Sequence, residues 1–225
     1  MLRARNAGGR GSEEALAALC RTYWYPLYAY VRRRGHSPDQ AQDLTQEFFC
    51  RLLERDFLSG VSRDKGRFRS FLLASCEHFL SNQREAMAAL KRGQGREKLL
   101  LDVQDAEGRY LLEPGHSLTP ERLFERRWAL TLLEESVAQL RDECERAGKG
   151  PLFAALRPFL TGDGQPESYR RTAEALGMSE GALKVAVHRL RRRYRERLRA
   201  EIARTVGDPG SVEDEIRHLF SVLGT

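Results

Sequence analysis

Apolar residues recur along this chain at spacings of three and four, the period of a helix buried on one side, and no stretch shows the two-residue alternation of a strand. Leu16, Leu19, Tyr23, Leu27 and Tyr30 form the first stripe, which opens at Ser12-Glu13-Glu14 and ends at Arg32-Arg33-Arg34-Gly35. Pro26 lies inside it and predicts a kink or break near Tyr25, because its ring removes a backbone donor. Ser37-Pro38-Asp39-Gln40 then opens a second helix, to about Arg55, with Ser37 and Gln40 in capping-box positions. Ala41, Leu44, Phe48 and Leu52 fall on its inner face, and Asp39, Asp43, Gln46, Glu47 and Glu54 on the other. The pattern lapses from Asp56 to Gly66 and resumes to Arg92 with Phe68, Phe71, Leu72 and Phe79.

From Gly93 to Leu118 the period is lost, which predicts a linker with one short helix from about Arg96 to Leu101. Thr119-Pro120-Glu121 starts a long helix to about Ala147, with Leu123, Leu130, Leu133, Val137 and Leu140 apolar. Gly148-Lys149-Gly150-Pro151 breaks it, Leu152 to Leu160 makes a short helix, and residues 161–166 form a loop. Thr172 to Arg199 reads as two helices joined by a tight turn at Leu176-Gly177-Met178-Ser179. Gly177 can take the left-handed conformation that ends one helix, and Ser179 can cap the next. Ser211 with Asp214 predicts a capping box for a last helix carrying Val212, Ile216, Leu219 and Leu223. The expected fold is all-α.

Composition adds little except in its distribution. The chain has 225 residues, a formal charge of +6 and 31% charged residues, as expected of a soluble protein with an anionic partner. The excess is concentrated: Arg189 to Arg199 holds seven arginines against Glu196. No apolar run is long enough to span a bilayer, and residues 1–11 read as a short basic tail without a signal peptide's apolar segment. Cys20, Cys50, Cys76 and Cys144 are far apart with no CxxC pair. Buried thiols, a reduced cytoplasmic setting, and neither metal nor cofactor are expected.

The candidate chemistry follows from helix faces. In the basic helix Leu183, Val187, Leu190 and Tyr194 form a packed back, which turns Gly181, Lys184, Val185, His188, Arg192 and Arg195 outward. A helix with that cationic front, preceded by a short helix and turn, suits a DNA major groove. The third helix mixes aromatics with Lys65, Arg67, Arg69, Arg84, Lys91 and Arg92, a combination able to hold unstacked bases and phosphates; the aromatics also suit a core. Clustered carboxylates for metal hydrolysis and a glycine-rich phosphate loop followed by Lys-Ser or Lys-Thr are both missing, so enzyme activity is not expected.

Taken together, the two helical blocks resemble a bacterial RNA polymerase sigma factor of the small extracytoplasmic-function type. LCRTYWYPLYAYVRRR, DQAQDLTQEFFCRLLER and KGRFRSFLLASCEHFLSNQRE look like three helices of sigma region two, and AEALGMSEGALKVAVHRLR looks like region four. Asp43, Leu44, Gln46, Glu47 and Phe49 carry the most specific match. The resemblance implies two small helical domains, a region two bundle at 12–92 and a region four helix-turn-helix domain at 119–206, joined by a linker at 93–118 and followed by an extension at 207–225. It implies that Asp43, Gln46 and Glu47 dock on the β′ clamp of core polymerase, and that region four meets the β flap. It further places His78, Asn82, Gln83 and Arg84 at the melted −10 strand, and Ser179, Lys184, His188, Arg189 and Arg192 at the −35 element of promoter DNA. An anti-sigma factor or other regulator is a further possible partner, and no membrane insertion is implied. The chain departs from the pattern at His78 and Asn82, where such factors often carry Asn and Asp, in the segment 148–168, and in the final helix, expected to pack on region four or to act as a regulatory contact. The alternative is a helix-turn-helix regulator that never joins polymerase.

Overall fold

The structure, a computed structural model, describes residues 10–54, 67–89, 106–113, 118–160, 165–206 and 208–224. Among them it is all-helical, with nine α-helices and no strand. These are α1 (Arg10–Arg33), α2 (Pro38–Glu54), α3 (Phe68–Ala89), α4 (Ala106–Leu111), α5 (Pro120–Arg146), α6 (Gly150–Leu156), α7 (Pro166–Ala175), α8 (Glu180–Thr205) and α9 (Val212–Leu223). The chain divides into two compact units, one of residues 1–131 and 203–225 and the other of residues 132–202. No described helix is long and apolar enough to cross a membrane.

The first unit is built on α1. Tyr23, Leu27, Ala29 and Tyr30 are fully buried, and every residue from Tyr23 to Val31 is buried, so this stretch packs all round rather than along one stripe. That explains why Pro26 does not break the helix, which runs unbroken from Arg10 to Arg33. Neighbours on every side hold the segment even though proline removes one backbone bond. The start of α2 follows its sequence signal: Ser37 N–H donates to Gln40 Oε1 at 3.1 Å and Gln40 N–H to Ser37 Oγ at 3.3 Å.

Two expectations are corrected by long-range contacts. The first concerns the linker: its anticipated helix at Arg96–Leu101 lies outside the described residues, but Ala106–Leu111 forms a helix that was not expected. Six residues cannot hold a helix alone, and tertiary contacts stabilise this one. Arg32 Nη2 donates to Glu107 Oε1 at 2.7 Å, Tyr28 Oη donates to Glu107 Oε2 at 2.6 Å, and the Arg32 guanidinium covers the Tyr110 ring. Hydrogen bonds from Arg32 hold the Glu107 carboxyl below its usual range. Just beyond, buried Glu113 accepts from Tyr25 Oη at 2.8 Å and pairs with Arg127.

The second correction concerns the last helix. Ser211 makes no capping bond, because it sits in helical φ/ψ at the end of a 3-10 turn, Pro209–Ser211. The unit that contains α9 also contains α3, and Glu215 of α9 is buried against Arg69. Arg69, expected on a basic surface, is therefore itself buried, with its guanidinium 4.9 Å above the Trp128 ring. His218 of α9 completes the cluster, 3.3 Å from Glu125.

Burial, assisted by Arg69 and Arg67 and opposed by Glu125 and Glu215, lowers the His218 pKa below the ordinary histidine value. The folded chain thus holds fewer protons on this ring than the unfolded chain. Its contribution to stability is present above about pH 6.5 and is lost as pH falls below that value. Acidification from about pH 7 to about pH 5.5 is expected to lower the melting temperature of the first unit, and His218→Gln to flatten that part of the profile. Thermal melts across pH check both.

The second unit has its own core of Leu140, Cys144, Phe153, Leu156, Phe159, Ala173, Leu183, Val187 and Leu190. Its last four members were legible as helical spacing in α7 and α8. Cys20, Cys76 and Cys144 are buried as small apolar groups, whereas Cys50 is only partly so, and the four form no disulfide. Loss of solvent pushes the thiols of Cys20 and Cys76 up to about 11 and about 12, which leaves them protonated and inert.

Candidate nucleic-acid interface

Two surfaces bring together the residues that the sequence singled out, one in each unit. In the second unit α7 ends at Ala175 and the chain turns on Gly177, whose φ of +63° is left-handed. Gly177 N–H donates to the Glu174 carbonyl at 3.1 Å and Met178 N–H to the Ala173 carbonyl at 2.9 Å, which satisfies the helix end in the Schellman manner. Ser179 Oγ then accepts from Ala182 N–H at 3.2 Å and caps α8. Its first role is therefore structural. The two helices share a core through Ala173, Leu183 and Val187, which makes this a rigid helix-turn-helix.

That packing fixes the outward face of α8. Lys184, Val185, His188, Arg189, Arg192 and Arg195 are all exposed. The arginine run is not a single surface, however. Arg191 Nε donates to the Phe159 carbonyl at 2.8 Å, at the end of the turn that follows α6. Arg193 Nη2 reaches Glu143 of α5 at 2.6 Å, and Arg197 pairs with the same carboxylate. Three of the seven arginines thus bind α8 to its own unit. Arg192 lies 3.6 Å from Glu196, with both side chains largely exposed, a pair too weak to withhold it from a phosphate.

In the first unit α2 and α3 flank a half-open cleft of about 280 Å³. Phe48, Leu52 and Phe79 supply its apolar surface, and Ser75, His78 and Asn82 its polar wall. His78 and Asn82 are exposed and one helical turn apart, so both reach the same side of α3. Arg51, which the sequence reading missed, lies 5.0 Å from the Phe79 ring centroid. An apolar floor, aromatic rings, an amide, an imidazole and a cation suit a planar base with an adjoining phosphate. Gln83 is half-buried and is not among the lining residues, and the Arg84 side chain lies outside those described. Arg51 could have been found as the i+4 partner of Glu47.

The acidic face of α2 is smaller than its spacing suggests. Asp43 is exposed, but Gln46 is buried, with only 8% of its surface accessible, and Glu47 is bound to Arg51 at 2.6 Å. Gln46 is buried together with Thr45, Phe48 and Phe49. Phe49 was not assigned to the inner face, yet it is fully buried against Phe48. The aromatics of α3 divide in the same way. Phe68 is core, edge-on to Tyr23 at 5.6 Å, and Phe71 is half-buried. Among the described residues no group of three or more His, Cys, Asp or Glu side chains is placed to hold a metal.

No known family model matches this chain, and no curated protein or solved structure matches it.

Proposed function

We propose that this protein is a promoter-recognition subunit of bacterial RNA polymerase, a sigma factor of the extracytoplasmic-function type that works in the cytoplasm and catalyses no reaction itself. The supporting observation is the pairing, in one chain, of a helix-turn-helix with an exposed cationic front and an α2–α3 cleft lined by His78 and Asn82. A duplex-binding regulator uses the first and has no task for the second. In this reading Lys184, His188, Arg189 and Arg192 enter the −35 major groove. Bidentate Arg contacts favour guanine edges, and phosphate contacts set position without conveying sequence.

The cleft then takes a base flipped from the −10 strand. His78 and Asn82 offer hydrogen bonds to its edge, and Phe48 and Phe79 offer apolar contact. Core polymerase docks through its β′ clamp on the exposed part of α2. Asp43 carries this contact and Glu47 supports it, while Gln46 acts from the interior by holding α2 in place. The β flap meets the second unit.

The deciding experiment is co-elution of the purified chain with bacterial core polymerase, followed by run-off transcription from the DNA upstream of its own gene. Promoter-dependent transcripts support the proposal. Duplex binding without co-elution replaces it with the conventional regulator. Asp43→Arg is expected to weaken co-elution at least about tenfold with an unchanged melting temperature, because an exposed charge at an interface rim acts on association rather than on folding. Normal co-elution of that variant would place the docking surface elsewhere.

A further inference from the structure

We propose that α9 is an internal cover for the start of α3: Glu215 engages Arg67 and Arg69 and withholds both cations from nucleic-acid phosphates until the helix is displaced. This inference rests on the strand-binding reading of the α2–α3 cleft. Arg67 immediately precedes α3 and Arg69 lies in its first turn, so the two cations stand at the start of the helix that carries His78 and Asn82 farther along. Each oxygen of Glu215 is committed: Oε1 to Arg69 Nε at 2.6 Å, and Oε2 to Arg67 Nε at 2.9 Å. Arg69 Nη1 is taken by Glu125 at 2.5 Å. Two carboxylates therefore neutralise two guanidinium groups. A strand gains affinity from a cation only when that cation is available to replace condensed counterions.

The form of α9 fits a cover better than a simple brace. Its first turn carries Glu213, Asp214 and Glu215, of which Glu215 turns inward onto the two guanidinium groups as a phosphate would, while Glu213 and Asp214 are exposed and Asp214 pairs with Arg217. Its anchor is small. Val212, Glu215 and Leu219 are its buried residues, His218 adds a contact to Glu125 beside the Trp128 ring, and Phe220 remains 56% exposed. One of the three anchors is a carboxylate, whose desolvation offsets much of what its ion pairs contribute. A helix held this lightly can be exchanged for a strand that brings several phosphates. Because coupling is reciprocal, strand binding must then loosen α9.

The test uses the full chain and a fluorescein-labelled single-stranded oligonucleotide of about twelve nucleotides, titrated at several salt concentrations. Glu215→Gln keeps the shape of the side chain and removes its charge. It is expected to bind the strand about three- to tenfold more tightly than wild type at low salt, with a salt slope steeper by about one unit. Adding Arg67→Met and Arg69→Met to Glu215→Gln should abolish that gain. Equal or weaker binding by a folded Glu215→Gln chain overturns the cover and leaves α9 as a brace. If the variant does not fold, hydrogen exchange of wild-type α9 decides instead: faster exchange with saturating oligonucleotide supports the cover, and unchanged exchange overturns it. Absence of strand binding in wild type and Glu215→Gln alike overturns the strand-binding reading along with the cover, whereas equal binding overturns the cover alone.

Discussion

A chain carrying Lys184→Gln, Arg189→Gln and Arg192→Gln together is expected to bind duplex promoter DNA roughly 500-fold more weakly than wild type at 0.1 M salt. The magnitude follows from counterion release. Each cation that meets a phosphate contributes about 0.9 to the slope of log affinity against log salt, hence just under a factor of ten at 0.1 M relative to 1 M. Three such losses multiply to roughly 500 and flatten the slope by about 2.7. The fold should be unaffected, because all three side chains are exposed and the Arg192–Glu196 pair is a solvent-screened i,i+4 contact. Arg193→Gln is the informative control. Its partner is Glu143 of α5, so its loss should loosen the second unit while leaving the slope nearly unchanged. Anisotropy titrations of both variants across salt check the pair of outcomes, and an unchanged slope in the triple variant would remove α8 from the DNA.

The second large effect is on stability. Trp128→Ala is expected to cost the first unit about 3–5 kcal/mol, the range for truncating a large buried aromatic. Trp128 is fully buried in α5. The Arg69 guanidinium lies 4.9 Å from its ring centroid and the His218 ring 6.4 Å from it, so one side chain serves as the floor for residues of α3 and α9. Removing it opens a cavity and takes away the surface on which the buried Arg69 rests. Trp24 allows a direct measurement. It is the other tryptophan, it belongs to the same unit, and it is buried and stacked on Tyr28 at 5.3 Å. Denaturant titration followed by Trp24 emission should show a lower midpoint. A midpoint within experimental error of wild type would mean that the cluster contributes little.

Much of this architecture was legible along the chain, and particular residues show why. The turn at Gly177-Met178-Ser179 was read correctly because its chemistry is local: a left-handed glycine and a hydroxyl cap act within four residues of their own backbone. The capping box at Ser37 and Gln40 was legible for the same reason. The apolar back of α8 at Leu183, Val187 and Leu190 was read from spacing, and the core it enters is the one observed. In α5 the spacing showed part of the buried set. Leu123 and Leu140 are fully buried and Val137 packs against the core of the second unit, while Leu130 and Leu133 are half-buried and Phe124, Trp128 and Leu132 are buried as well, because the helix contributes residues to both units.

The sequence by itself determined that the protein is helical, where most helices begin and end, and which helix carries the outward cations, because those properties depend on contacts within one or two turns. Tertiary structure decided which charges are available. It buried Gln46, bound Glu47 to Arg51, turned Arg191, Arg193 and Arg197 to structural use, and joined Arg69 to a carboxylate 146 residues away. A local pattern shows that a residue is charged and which face of its helix it occupies. Whether that face meets solvent, a core or an opposite charge depends on the helices packed against it, and those contacts come from distant parts of the chain.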